Sequence, residues 1–311
     1  MKIPFYYCDC DNFGDKLNED LFRLLFKKSI ISSTIEESII MGIGSLLDNI
    51  LLDKNDKKII KNPIYIYSTG FGFEEGGFFH NQNIILPEKL KRNVIPIALR
   101  GKLTKQRIEK LTNNCVNCTL GDGGLLSYLL VDKSKIKQKY DMGIVPHYAD
   151  RNDNIWIKIL EQNPNSRILD VRKPPIEFLH DLCECKTIMS SAMHPLIASD
   201  SLGIPNLWVR ISEETTSRYK FEDYYSVYDI KQPVPIDLYS NSEKVNEEFI
   251  RANYMININE VEKIQEELLS ALNSLPRISD HKLFLRKIFS ITDSSLHKII
   301  TILGIKIKIK I

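Results

Sequence analysis

Along the first half of the chain, short runs of aliphatic and aromatic residues end in loops containing Gly or Asp, and the loops lead into stretches whose apolar residues recur at helical spacing. IPFYYCD, NFGD and KLNEDLFRLLFKK form the first such unit; SIIMGIG with SLLDNILL, IYIYSTG with FGFEEGG, VIPIALRG with KLTKQRIEKL, and NCTLGD with GGLLSYLL repeat it. Alternation of strand, loop and helix predicts a parallel sheet covered by helices. From Tyr140 the pattern restarts with DMGIVPHYAD, RILDV, PIEFLHDLCE, KTIMSS, PLIASDSLG and NLWVR. The fold class read from this is α/β, with a first module over residues 1–137 and a second over 138–235, and the charged, apolar-poor stretch 132–139 as the linker.

Beyond Arg210 the texture changes. Residues 211–228 are polar and aromatic without a period, Pro233 and Pro235 interrupt, and residues 259–275 carry apolar positions at helical spacing with Glu and Lys opposite. That pattern predicts an amphipathic helix able to pack back across the first module. In residues 284–311 Ile and Lys alternate, either as an amphipathic surface element or as the chain's general bias towards Ile, Lys and Asn. Residues 236–311 are thus read as C-terminal helices and a basic amphipathic tail.

Composition narrows the function classes. The chain has 311 residues and a mass of 35.9 kDa, a length that suggests two domains although one large α/β domain is also compatible. A hydrophobic fraction of 43% and a charged fraction of 26% are those of a folded globular protein. The net charge of +2 is too balanced for a protein whose main partner is the nucleic-acid backbone. The cysteines occur as Cys8-x-Cys10, Cys115-x-x-Cys118 and Cys183-x-Cys185, a usage that points to a reducing, cytoplasmic compartment. One CxxC lacks the second pair of a zinc ribbon and one-residue spacings suit a tetrahedral site poorly, so no metal is expected. MKIPFYYCDCDNFGD reaches acidic residues early and resembles no secretory signal, and the sequence has no 18-residue apolar run.

In an open parallel sheet, ligands bind beyond the carboxyl ends of the strands. Gly14 and Asp15 follow the first strand; Gly14 reads as a tight turn, and Asp15 either as a helix cap or as a site residue. Gly44, Gly70 and Gly72 follow later strands and could bring backbone close to a ligand, yet neither loop completes a dinucleotide fingerprint and no Walker pattern occurs. Arg100 ends an apolar run before Gly101, where a guanidinium beside a helix N-terminus suits a carboxylate or phosphate; a salt bridge to the neighbouring module is the alternative. His194 follows KTIMSS and precedes Pro195, read as the first helical residue, with Gly203 ending the helix; His147 also follows a strand.

These segments together resemble the polysaccharide pyruvyl transferase family, most closely its exopolysaccharide and capsule branch. The resemblance rests on Asn12-Phe13-Gly14-Asp15 with Leu17-Asn18, Gly42-Ile43-Gly44-Ser45-Leu46, Gly70-Phe71-Gly72, Leu99-Arg100-Gly101, Leu120-Gly121-Asp122, Gly143-Ile144-Val145-Pro146-His147, and Ser190-Ser191-Ala192-Met193-His194 before Leu202-Gly203-Ile204-Pro205. Its order is more specific than any one motif. The resemblance implies a glycosyltransferase-B-like pair of Rossmann-like modules around a cleft, with pyruvate passed from phosphoenolpyruvate to saccharide hydroxyls as a ketal. It implies no cofactor beyond phosphoenolpyruvate as co-substrate, and an acceptor that is lipid-linked or polymeric. His194 would be the general acid, Asp15 its partner, and Arg100 and Lys220 donor ligands, with His147 beside them. Many relatives carry Arg where this chain has Ala192, which leaves Arg210 and Arg218 as candidates for the missing cation. The alternatives are a sugar-nucleotide glycosyltransferase of the same architecture and a non-catalytic binder of glycans or phosphorylated metabolites.

If the tail is a basic surface element, it would hold the protein peripherally on anionic lipids at the inner face of a membrane, near a membrane-anchored acceptor. Co-sedimentation with anionic vesicles should then be stronger for the full chain than for a version ending at Pro276, and the difference should fade with salt. Equal partitioning of the two would remove the membrane role.

Overall fold

A computed structural model describes residues 2–54, 59–76, 84, 87–211 and 217–275, together with the backbone of three strands within 289–310. The first module contains β1 (Ile3–Tyr6), α1 (Phe13–Phe26), β2 (Ile30–Ser32), β3 (Ile40–Met41), β4 (Ile60–Thr69), β5 (Arg92–Leu99), α2 (Lys102–Thr112) and β6 (Thr119–Leu120). Its strands lie side by side in the order β2-β1-β3-β4-β5-β6, parallel throughout. The second contains β7 (Tyr140–Val145), α3 (Ile155–Gln162), β8 (Ser166–Ile168), α4 (Pro175–Cys183), β9 (Cys185–Ser190), α5 (Met193–Ser201) and β10 (Asn206–Arg210). After β10 come α6 (Arg218–Tyr225), β11 (Ile236–Asp237), α7 (Leu238–Asn241), α8 (Glu247–Asn253) and α9 (Ile258–Ala271). The second sheet runs β11-β10-β9-β7-β8, again parallel. Both sheets are covered by helices, and their central strands are buried almost without interruption, as in β7 and β9.

Three stretches depart from the helical expectation. SLLDNILL makes only a 3-10 turn over Leu47–Ile50, FGFEEGG makes no helix over its described residues 71–76, and GGLLSYLL is a 3-10 segment over Gly123–Leu130. In FGFEEGG side chains take the amides that a helix would use: the Asp48 carboxylate, from the preceding 3-10 turn, accepts from Gly72 N at 2.5 Å and Thr104 Oγ1 from Phe71 N at 3.2 Å. The aperiodic region after Arg210 hides α6. Phe221, Asp223, Tyr224 and Tyr225 are all buried, so the helix has no clean solvent face for a period to reveal.

The larger apolar cluster runs through both modules, from Phe5, Phe22 and Leu126 to Ile188, Leu196 and Phe221, while a smaller one around Trp156, Ile159 and Leu238 backs the second sheet. Phe13 at the start of α1 packs on Phe178 of α4 with ring centroids 4.5 Å apart. The expected helix α9 does pack across the first module, where Leu268 O accepts from Tyr67 Oη at 2.8 Å and Gln265 Nε2 donates to Leu125 O at 2.8 Å. Within the tail, β12 (Phe289–Ser294), β13 (His297–Ile302) and β14 (Ile305–Lys310) form an antiparallel sheet, and the remaining tail residues lie outside the described ones.

Helix α6 ties the two modules together. Towards the second, Phe221 stacks on Trp208 at 4.3 Å and Tyr224 Oη donates to the buried Asp200 carboxylate at 2.6 Å. Towards the first, Asp223 Oδ2 accepts from Arg100 Nε at 2.9 Å and from Thr104 Oγ1 at 2.6 Å, and Oδ1 accepts from Thr104 N at 2.8 Å. Helix α2 begins at Gly101, which has no capping side chain. Asp223 caps it from elsewhere in the chain, and Ser226 Oγ takes a second first-turn amide, Lys102 N, at 2.8 Å. A Cβ at Gly101 would lie 1.8 Å from Asp223 O, so only Gly lets α6 come this close.

The Arg100 and Asp223 side chains are both fully buried. Asp223→Ala would strand a buried guanidinium, and a loss of about 3–5 kcal/mol is expected in denaturant unfolding. The Arg100→Ala/Asp223→Ala double variant should lose less than the sum of the single changes.

Candidate functional site

The site builds on two helix N-termini that meet. Helix α1 starts after Asn12 and α5 after Ala192, and neither helix has a side-chain cap. His194, the second residue of α5, lies against Gly14, the second of α1: a Cβ on Gly14 would sit 2.0 Å from His194 Nδ1. Gly14 is therefore needed for close approach and not for the tight turn expected of it, since it lies in the helix and is absent from the positive-φ residues. Pro195 falls at the third helical position and not the first, still within the turn where a missing N–H costs no hydrogen bond. Phe13 N donates to Val171 O at 2.7 Å, which docks α1 onto the second module.

Asp15 occupies the third position of α1, not its cap. Its Oδ2 accepts from Asn12 Nδ2 at 2.7 Å and from Cys10 Sγ at 3.2 Å. Burial raises its pKa, against which the Cys10 and Asn12 hydrogen bonds and the Lys220 charge act. Lys220, in the first turn of α6, carries neither a hydrogen bond nor an ion pair among the described residues. Burial lowers the Lys220 ammonium to about 8, with the Arg100 charge acting in the same direction and Asp15 in the other. The His194 imidazole falls to about 3, first by burial and then through Lys220 and Arg100, and its Nε2 is buried without a partner. His147 falls to about 3 by burial and Lys220. Its Nδ1 accepts from Ala149 N at 3.3 Å, which leaves the proton of the neutral ring on Nε2.

Lys220 is the common element of the cluster: its charge acts on Asp15, His147 and His194, and that of Arg100 acts on His194 and Lys220, although these residues come from both modules and from α6. Arg100 is the innermost. Its guanidinium lies against Gly70 and bonds Asp223, Ser45 Oγ and Phe71 O, so it acts on the site as a buried charge. Gly44 O accepts from Gly70 N at 3.1 Å and Gly72 N serves Asp48, so these loop groups are engaged within the first module. Arg210 and Arg218 stand apart from the cluster. Arg210 Nε is 3.8 Å from the Asp237 carboxylate and Arg218 Nε 3.5 Å from that of Glu222. Sequence reading missed Asp223, which meets Arg100 across 123 residues of chain and has no local signature.

An unpaired ammonium, two uncapped helix starts and a neutral imidazole with a free nitrogen suit a small anion with a protonatable centre. The class defined is a two-sheet parallel α/β protein with a cluster of ionisable side chains where its modules meet. The chain belongs to the polysaccharide pyruvyl transferase family, whose model matches residues 3–213. It is similar to an uncharacterized protein of Acanthamoeba polyphaga mimivirus, 32% identical over 43% of this chain and 48% of that one. It is also similar to the succinoglycan biosynthesis protein ExoV of Rhizobium meliloti (strain 1021), 23% identical over 72% of this chain and 64% of the relative. The matches span from about half to under two thirds of these relatives' length.

Gly14→Ala tests the contact that brings the modules together. Alanine would ordinarily favour the helix by about 1 kcal/mol. Here the imidazole must move, so unfolding should show a net loss of about 1–3 kcal/mol, and NMR should show the His194 ring resonances displaced.

Proposed function

We propose that this protein transfers pyruvate from phosphoenolpyruvate to two hydroxyls of one sugar in a saccharide acceptor, polymeric or lipid-linked, and forms a pyruvate ketal. The two modules would act as the halves of a glycosyltransferase-B-like cleft. The observation that carries this reading is the presence together of His194 Nε2 without a hydrogen-bond partner and the Lys220 ammonium without a hydrogen bond or ion pair among the described residues, beside Asp15 at converging helix N-termini. Phosphoenolpyruvate carries a carboxylate and a phosphate. Lys220 and the Gly14 amide of α1 with the Met193 and His194 amides of α5 would hold them, and the Arg100 charge behind would favour the same sign of ligand.

In the empty site His194 is neutral at neutral pH, because burial and two cations oppose its charging. A bound dianionic or trianionic donor reverses that balance, so the acid forms only where it is needed. His194 then protonates the methylene carbon of the donor. The cationic carbon accepts the first sugar hydroxyl, whose proton passes to Asp15. Phosphate leaves with the former enol oxygen, and the second hydroxyl of the same sugar closes the ketal as its proton is released. Asp15, raised by burial but close to Lys220, is suited to take up a proton and return it.

Lys220 sets the pH dependence. Its charged form is the one that binds an anion, and free Lys220 loses its proton as pH rises through about 8. Through Lys220, phosphoenolpyruvate binding should weaken by up to about tenfold per unit above that pH, in addition to the weakening with rising pH that proton uptake by His194 in the loaded site imposes at lower pH. Calorimetric titrations between neutral and alkaline pH should show this, and Lys220→Met should bind weakly throughout without the alkaline decline.

Phosphate release from phosphoenolpyruvate in the presence of a panel of lipid-linked or synthetic glycosides tests the reaction itself. His194→Asn should lower kcat by about 10²–10⁴-fold with donor affinity changed far less. Turnover of His194→Asn within a few-fold of the parent would make His194 structural, and donor binding without any turnover in the parent would leave a non-catalytic binder.

A further inference from the structure

The loop between β1 and α1 brings three metal-ligating groups to a point beside the site. Cys8 Sγ is 2.8 Å from Cys10 Sγ, and Cys10 Sγ is 3.2 Å from Asp15 Oδ2. The three ligand atoms all lie within 4.8 Å of one another. A cysteine pair separated by one residue is by itself a poor tetrahedral site, and the sequence reading stopped there. Folding adds the carboxylate. It does so because Asp15 lies in the first turn of a helix that faces back over the loop, where Asn12 N donates to Cys10 O at 2.7 Å and Lys16 Nζ pairs with Asp9 at 2.6 Å. Thiols are weak donors and weak acceptors, so sulfur-to-sulfur and sulfur-to-oxygen hydrogen bonds stabilise such a convergence poorly.

The geometry points to a site for a thiophilic divalent cation of the zinc class, held by Cys8, Cys10 and Asp15 with its fourth position open to solvent. Two sulfurs and one oxygen are the donor set that selects such an ion over magnesium or calcium. With Zn–S bonds of about 2.3 Å in a tetrahedron, the sulfurs would stand about 3.8 Å apart, so the loop opens by about 1 Å on binding. Cys8 is exposed and Cys10 half-buried, which gives the ion a path in. The two thiols lose their protons to solvent as the metal–sulfur bonds form, and no oxidant or reductant is involved.

Occupancy has a consequence for turnover that rests on the role given to Asp15 above. A carboxylate bound to the cation cannot take a hydroxyl proton, so the metal would act as an inhibitor at the edge of the site. Binding and inhibition can be read separately. The full chain, carrying Cys115→Ser and Cys118→Ser to remove the other accessible cysteine pair and kept reduced with a phosphine, is titrated with Cd²⁺ and followed by the thiolate-to-metal absorption band. One equivalent should develop the band. Cys8→Ser and Cys10→Ser should each weaken Cd²⁺ binding at least tenfold, and Asp15→Asn should weaken it while retaining the band. No band in the reduced parent, or a band unchanged by Cys8→Ser with Cys10→Ser, would overturn the site. If the parent turns over phosphoenolpyruvate, Zn²⁺ should inhibit it and Cys10→Ser should relieve the inhibition. Metal binding without turnover would instead sink the proposed reaction and leave the site standing.

Discussion

Asp223 does for helix α2 what a capping residue of its own would do, but it comes from a helix more than a hundred residues later. The same carboxylate is the ion-pair partner of Arg100, whose guanidinium is sealed beneath the first-module loops. A buried guanidinium without a counter-charge is unfavourable by several kcal/mol, and the first turn of α2 has free amides and no capping side chain. One residue meets both demands, so α6 has essentially one place to lie. That placement sets the position of Lys220, three residues earlier on the same helix.

The rest of the site follows from the opposite face of α6 and from the contact between α1 and α5. Trp208 and Asp200 hold α6 to the second module through Phe221 and Tyr224, so the helix is fixed from both sides. Gly14 lets the imidazole of His194 lie directly on the first turn of α1. Two helix starts and two cations then crowd one small volume. Their repulsion, added to burial, keeps His194 neutral and Lys220 weakly basic, which amounts to electrostatic strain that an anion relieves. Arg100 contributes from behind as a fixed positive charge without needing to touch the ligand.

Much of the architecture was legible because local patterns carry it. Short, largely apolar runs leading through loops into helical stretches specify parallel strands, and the structure has them at β1, β4, β5, β7, β9 and β10. Asp15, Arg100, His147 and His194 were legible for a related reason: each follows a strand, and parallel topology sends all strand ends to one side. The failures were also local. FGFEEGG was read as helical, but its Gly72 and Phe71 amides go to Asp48 and Thr104, competing hydrogen bonds that spacing does not report. Helix α6 has no period because it is enclosed on both sides.

Sequence alone therefore determined most of the strands, the helices with a clear apolar period and the chemical groups that stand at strand ends, since burial pattern and chain direction are properties of neighbouring residues. It also carried the motif order of the family whose model matches residues 3–213. Tertiary structure decided the partners: Arg100 with Asp223, His194 with Gly14, and Lys220 left unpaired beside Asp15. Those choices depend on the packing of α6 between two modules and on desolvation at their junction, which are set by contacts across a hundred residues or more and leave no local trace in the chain.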